Sequence, residues 1–337
     1  MRNRGLDPSS VVIPFETTEE MRQMAHRIVP DNTPFEKRLE VLLAGLLEGG
    51  QVPIRYEARY TGTAAEVFQN HRANCLAFTS LFVAMAREIG VPVFYLDVED
   101  VEKFEKEGDL VVVSGHVSAG YGAGPEIKIL DFSAAPKANY RHVHPITDLT
   151  AISLFHSNRG AELLRAGRSQ EALDWLRKAV AIDPELGRAW VNYGVALRRT
   201  GDVAGAEAAY RKALEVDPEG ASAYQNLASL LRSQGKEPEA DALLEISSHL
   251  GSRNPFVYLS LGDLSLQRGQ IEEARRFYRR ALRLYHDNAE PYAAMGFASL
   301  AAGDKNEAAR WLKKAVAIDQ ENSRVKELLT RLGGGQG

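Results

Sequence analysis

Apolar and small residues return every 34 positions along the second half of the chain. With repeats starting at Ser153, Gly187, Ala221, Pro255 and Ala289, the eighth position reads Gly160, Gly194, Ala228, Gly262, Gly296. The twentieth reads Ala172, Ala206, Ala240, Ala274, Ala308, and the twenty-fourth is large throughout: Leu176, Tyr210, Leu244, Tyr278, Leu312. A fixed period of this length is the mark of a repeat architecture. Small residues at positions eight and twenty allow two helices to approach closely. The fifteenth position is glycine in all five repeats, from Gly167 to Gly303, as a turn with positive φ requires. Asp183-Pro184 and Asp217-Pro218 end second helices, because proline cannot continue them. Each repeat is predicted to be a helix–turn–helix that hides its apolar face against its neighbours.

Before residue 150 the pattern changes. Thr17–Val29 and Pro34–Leu47 have the periodicity of amphipathic helices, followed by a polar break at Glu48–Gln51. A short helix is predicted over Thr63–Asn70, with Thr61 or Thr63 as its cap. Next, Phe78, Leu81, Phe82, Met85 and Ile89 follow helical spacing up to Gly90 and Pro92, with Asn74 as N-cap. Val93–Val98, Leu110–Ser118 and Ile127–Phe132 read as strands. The last two flank Ala119–Pro125, a glycine-rich turn. A turn centred between Ala123 and Gly124 sets His116 opposite Asp131. Pro136–Leu149 reads as a tether to the repeats.

These elements put the chain's single cysteine, Cys75, in the first turn of a helix. Free N–H groups and the partial positive charge there stabilise a thiolate. A lone cysteine is either a small buried hydrophobe or a nucleophile; helix start and neighbouring strands favour the nucleophile. His116 beside Gly115 is the favoured base, with Asp131 across the hairpin to hold its ring. His71, His142 and His144 are the other histidines weighed. Gln69, six residues before Cys75, is a candidate oxyanion donor beside the Cys75 N–H.

Composition narrows the function classes. A net charge of −4, with 26% charged and 45% hydrophobic residues, argues against a nucleic-acid partner. No apolar run is long enough for a transmembrane segment. One cysteine allows no internal disulfide. No metal-ligand constellation or phosphate loop appears, so no cofactor is expected; the GYGAG run lies in a hairpin and lacks the Lys-Ser/Thr of such loops. The N-terminus is not a secretory signal, so the expected location is cytoplasmic, or periplasmic or secreted if a signal precedes this sequence.

Two resemblances follow. Trp190, Tyr193, Gly194, Leu197, Ala206, Tyr210, Ala213 and Pro218 resemble the tetratricopeptide repeat. The third repeat departs most, with Ala228, Ser247 and Ser252. Asn74-Cys-Leu-Ala-Phe-Thr, the later Ala-Arg-Glu-Ile-Gly-Val-Pro, then His116 and Leu130-Asp131 are similar to the transglutaminase-like superfamily over about 56–133. Ala73 stands where that family usually has glycine. The arrangement is similar to bacterial proteins that join the two modules. It implies an α+β, papain-like N-terminal domain over 1–150 followed by an all-α tetratricopeptide-repeat solenoid: repeats 153–186, 187–220, 221–254, 255–288 and 289–322, a capping helix over 323–332 and a disordered tail over 333–337.

The transglutaminase-like resemblance carries a Cys–His–Asp role set onto Cys75, His116 and Asp131, and with it thiol-dependent acyl transfer on a peptide or protein: peptidase-like or amidase-like when water resolves the thioester, transamidase when an amine does. The alternative is a catalytically idle domain serving a protein-binding scaffold. The repeat resemblance implies a peptide-binding concave surface on which the sixth position of each first helix faces inward. That position holds Asn158, Asn192 and Asn226, then Ser260 and Ala294, with Arg165, Arg188, Arg198, Arg199 and Arg232 nearby. These residues are the expected groove for a peptide partner or substrate, unless they form an ordinary solvated face.

Overall fold

The computed structural model describes residues 6–47, 50–107, 110–122, 127–130, 142–250 and 252–333. After a single 3-10 turn (Pro8–Ser10) come α1 (Glu19–Ile28), α2 (Phe35–Leu46), β1 (Arg55–Tyr56), α3 (Ala64–Asn70), β2 (Arg72–Ala73) and α4 (Cys75–Glu88). Then come β3 (Phe94–Glu107), β4 (Leu110–Tyr121), β5 (Lys128–Leu130) and β6 (Val143–Ile146). Strands β5, β4, β3 and β6 form one sheet in that order, while β1 and β2 pair in parallel. The remaining elements are helices: α5 (Asp148–Arg165), α6 (Ser169–Ile182), α7 (Gly187–Arg199), α8 (Val203–Val216), α9 (Ala221–Ser233), α10 (Glu237–His249), α11 (Pro255–Gln267), α12 (Ile271–Leu284), α13 (Ala289–Ala301), α14 (Lys305–Ile318) and α15 (Ser323–Gly333). No strand occurs among the described residues from 153 onward.

The structure differs from the sequence reading in two places. The hairpin β4–β5 is two residues out of step with the register that sets His116 across from Asp131: Ala119 pairs with Leu130, and Tyr121 with Lys128. Part of the expected tether is also a strand. Val143–Ile146 pairs antiparallel with β3, Asp97 opposite His144, and α5 already begins at Asp148, capped by Thr147.

The chain divides into two compact units. The first comprises residues 1–103 and 113–206, so it takes in α5, α6 and α7 as well as the α+β region. Its core is built around α4, whose residues from Leu76 to Ala86 are all buried. Met21 and Ile28 of α1, Leu42 and Leu46 of α2, Tyr95 of β3, Val117 of β4, and Leu154 and Phe155 of α5 pack against it. Tyr95 donates its hydroxyl hydrogen to Ser80 Oγ at 3.2 Å, and Thr79 Oγ1 donates to the Val117 carbonyl at 3.2 Å. Both bonds tie α4 to the sheet.

The second unit comprises residues 104–112 and 207–337. Val111 of β4 lies in a cluster with Phe256, Tyr258, Leu259 and Tyr278. The five glycines at position fifteen all have positive φ, from 72° at Gly167 to 91° at Gly201. In the first and fourth repeats the small eighth position meets the large twenty-fourth: a Cβ on Gly160 would lie 2.4 Å from Leu176, and one on Gly262 2.3 Å from Tyr278. Helix α15 closes the array by packing Val325 and Leu328 against Ala289, Ala293 and Leu312.

Candidate active site

The site begins at the start of α4. Asn74 is the N-cap: its Oδ1 accepts from the Ala77 N–H at 2.9 Å, and Cys75 is the first helical residue. Asn74 is itself fixed, because its Nδ2 donates to Thr61 Oγ1 at 2.7 Å and its N–H to the Tyr60 carbonyl. Thr61 is therefore not the cap of α3; Thr63 is, in a reciprocal capping box with Glu66. Thr61 is held in turn from α5. Its N–H donates to Glu162 Oε1 at 2.8 Å, and Arg159 Nη1 donates to its carbonyl. Burial raises the Glu162 carboxyl above the usual carboxylate range, against the pull of its bonds to Thr61 and the charge of Arg159.

Cys75 is half-buried, and its side chain is hydrogen-bonded to His116 on β4. Burial pushes the thiol up. The bond to His116, the charge of that imidazole, and the backbone N–H groups of Val117 and Leu76 pull it down further, and the balance lies below the usual thiol range. His116 is buried, 6% exposed. The His116 ring and two backbone N–H donors thus surround the sulfur and favour its ionised form against the cost of burial.

The other expected site residues fall in different places. Asp131 lies outside the described residues. Gln69 is exposed on α3. His71 is exposed at the end of α3 in the left-handed conformation, φ 55°; His142 and His144 are exposed at and beside β6.

The expected peptide groove has a different geometry. Asn192 and Asn226 are buried, 1% and 0% exposed, and each holds a segment of this chain's own backbone. Within the first unit, Asn192 Oδ1 accepts from the Val113 N–H and its Nδ2 donates to the Val113 carbonyl, both at 3.2 Å; Nδ2 also donates to Ser157 Oγ at 3.1 Å. Within the second unit, Asn226 makes the same pair of bonds to Val111, at 2.7 and 2.8 Å. Their carboxamides do bind extended peptide backbone, but that backbone is β4. Asn158 is half-buried on α5.

The arginines are engaged too. Arg188 Nη2 pairs with Asp97 Oδ2 of β3 at 2.6 Å, with both side chains largely buried. Arg199 Nη1 donates to the Leu164 carbonyl near the end of α5. Arg232 pairs with Asp241, which also takes Arg268. Arg165 and Arg198 are half-buried at the ends of α5 and α7.

Sequence reasoning did not single out Glu162, Arg159 or Asp97, and it gave Thr61 and Arg188 other roles, as a helix cap and a groove residue. One signal was available. An aspartate inside the apolar run PVFYLDV needs a cation or a donor when it is buried.

Comparison with known families agrees with this architecture. The transglutaminase-like superfamily pattern matches residues 22–103, a segment that includes Cys75 and ends before His116. Tetratricopeptide-repeat patterns match 163–231 and 265–332, and a second one 221–245. Comparison with curated proteins returned no match. Among solved structures, PilF of Pseudomonas aeruginosa is 25% identical, covering 53% of this chain and 82% of its own, with a TM-score of 0.46. The Cut9–Hcn1 hetero-tetramer of the APC/C is 19% identical over 55% of this chain and 37% of that one, TM-score 0.48. A thermophilic tetratricopeptide-repeat protein of Thermus thermophilus is 20% identical over 54% and 97%, TM-score 0.44.

The chain therefore carries a transglutaminase-like region joined to tetratricopeptide repeats. In this protein the repeats are the all-helical part, α5 to α15.

Proposed function

We propose that the N-terminal region is a thiol-dependent acyl-transfer enzyme acting on an amide or peptide carbonyl. The observation that carries this reading is the hydrogen-bonded pair of Cys75 and His116, with the thiol held below its usual range at the first residue of a helix. His116 takes the proton from Cys75. The sulfur attacks the carbonyl carbon, forming a C–S bond, and the negative charge passes to the carbonyl oxygen, within reach of N–H groups at the start of α4. The intermediate expels the amine, which receives the proton from His116, and a thioester remains on Cys75. Attack by water gives a peptidase or deamidase; attack by an amine gives a transamidase. The part of Asp131 in orienting the imidazole rests on the family resemblance.

The repeats are read as the protein-binding part of the molecule. Recruitment through Asn192 and Asn226 is not included in this reading, because both carboxamides already hold β4.

The test is acylation by an activated ester, followed by intact mass. The chain should gain one acyl group, on its single cysteine. Cys75→Ala should gain none, and His116→Gln should acylate at least about 100-fold more slowly, the lower end for loss of a general base. Equal acylation rates in His116→Gln and the unaltered chain would defeat the proposal.

A further inference from the structure

Strand β4 has two edges. Strand β3 lies along one, and the described pairs with β5 cover the other only from Ala119 to Tyr121. Along a strand, the N–H and C=O of residues two apart project to the same edge. Val111 and Val113 give these groups to asparagine side chains, so at these positions the edge away from β3 is satisfied by carboxamides in place of a strand. An unsatisfied edge of this kind is costly when buried, and Val111 and Val113 are both buried.

His116 lies three residues beyond Val113, roughly 10 Å along the strand, and one residue before Val117. It is therefore bracketed. On one side, Thr79 of the Cys75 helix takes the Val117 carbonyl at 3.2 Å. On the other, Asn192 of α7 takes both backbone groups of Val113. Arg188, one turn earlier on the same face of α7, pairs with Asp97 of the adjoining strand. Its guanidinium lies against Gly115, so close that a Cβ there would sit 2.4 Å from Nη1. All of these residues belong to the first unit.

We infer that Asn192, supported by Arg188, is a positioning residue of the thiol site: it anchors β4 at Val113 and so sets where His116 stands against Cys75. The inference rests on the acyl-transfer reading. A two-point clamp resists sliding of the strand in a way that one bond does not. A slip of two residues would keep the strand's faces and carry His116 about 7 Å away from the sulfur. Asn192 touches neither the sulfur nor the imidazole in this account; it acts through Val113.

The experiment follows iodoacetamide alkylation of Cys75 across pH, a clean readout because the chain has one cysteine, together with amide hydrogen exchange over residues 113–121. In the unaltered chain the alkylation midpoint should lie below the value of about 8.5 for a free cysteine. Asn192→Ala should raise exchange over 113–121 and move the midpoint up by about one unit, which lowers the alkylation rate about tenfold at pH values below the midpoint of the unaltered chain. Ser153→Ala is the stability control, because it removes a buried hydrogen bond from Ser153 Oγ to the Ala179 carbonyl and should leave the midpoint in place. Asn192→Asp, which keeps an acceptor for the Val113 N–H, serves if the alanine variant does not fold; it should shift the midpoint in the same direction.

An unchanged midpoint in a folded Asn192 variant overturns the inference, as does unchanged exchange over 113–121. A midpoint near 8.5 in the unaltered chain overturns instead the acyl-transfer reading, and the exchange arm still decides whether Asn192 holds the strand.

Discussion

A neutral imidazole buried in a packed core makes stability depend on pH. His156 on α5 is 0% exposed, its ring tilted against Trp175 with centroids 4.9 Å apart, and its Nε2 lies 3.1 Å from the Val12 carbonyl. A carbonyl only accepts, so Nε2 carries the hydrogen. Burial lowers the His156 pKa to about 4 from its ordinary 6.5. Between these values the unfolded chain binds more protons at this residue than the folded one, so stability falls as pH drops through that window. The full difference is about 3 kcal/mol. The denaturant midpoint of the unaltered chain should therefore fall between pH 7 and pH 4.5 by more than that of His156→Gln; parallel midpoints for the two would contradict the assignment. Gly115 is the second residue whose chemistry is set by a neighbour. Its missing side chain makes room for Arg188, and Arg188 is pinned by Asp97. Gly115→Ala should cost about 1–3 kcal/mol by overpacking, measured by denaturant titration followed by tryptophan fluorescence.

At the level of elements, the turn glycines separate repeat stability from thiol chemistry. Gly269 has φ of 74° with open space around its absent Cβ, so Gly269→Ala introduces strain without a clash. It should lower the stability of the second unit by about 1–2 kcal/mol and leave the alkylation profile of Cys75 unchanged. Elements like these were legible in the sequence because their physics is local. The 3.6-residue period, the glycine turns and the Asn74 cap each lie within a few residues of what they determine, and they place Cys75 at the first residue of α4. The β4–β5 register was not legible, because it depends on how many residues a glycine-rich loop consumes. Strand β6 escaped notice because a four-residue segment containing a proline carries little pattern. The ownership of the asparagines was least legible: the recurring Asn192 and Asn226 announce a peptide clamp, but nothing local says that the peptide lies 79 and 115 residues earlier in the same chain.

For the whole molecule, the first unit runs past the point where a change of pattern would end it. A chain stopped after residue 150 loses the Glu162–Thr61, His156–Val12, Arg188–Asp97 and Asn192–Val113 bonds and uncovers the core against which Phe155 packs. Such a fragment should be insoluble or molten, with near-ultraviolet circular dichroism lost and helix signal retained; a fragment with native near-ultraviolet signal would show that the α+β region stands without α5 and α7. The clamp on Val113 also acquires a meaning in time. Ribosomes add roughly 5–20 residues per second, so the 79 residues between Val113 and Asn192 take about 4–16 s to make. Throughout that interval the valine-rich stretch of β4 has emerged without the carboxamide that satisfies its edge, and a nascent chain in that condition is a natural client for a chaperone that shields exposed apolar strands.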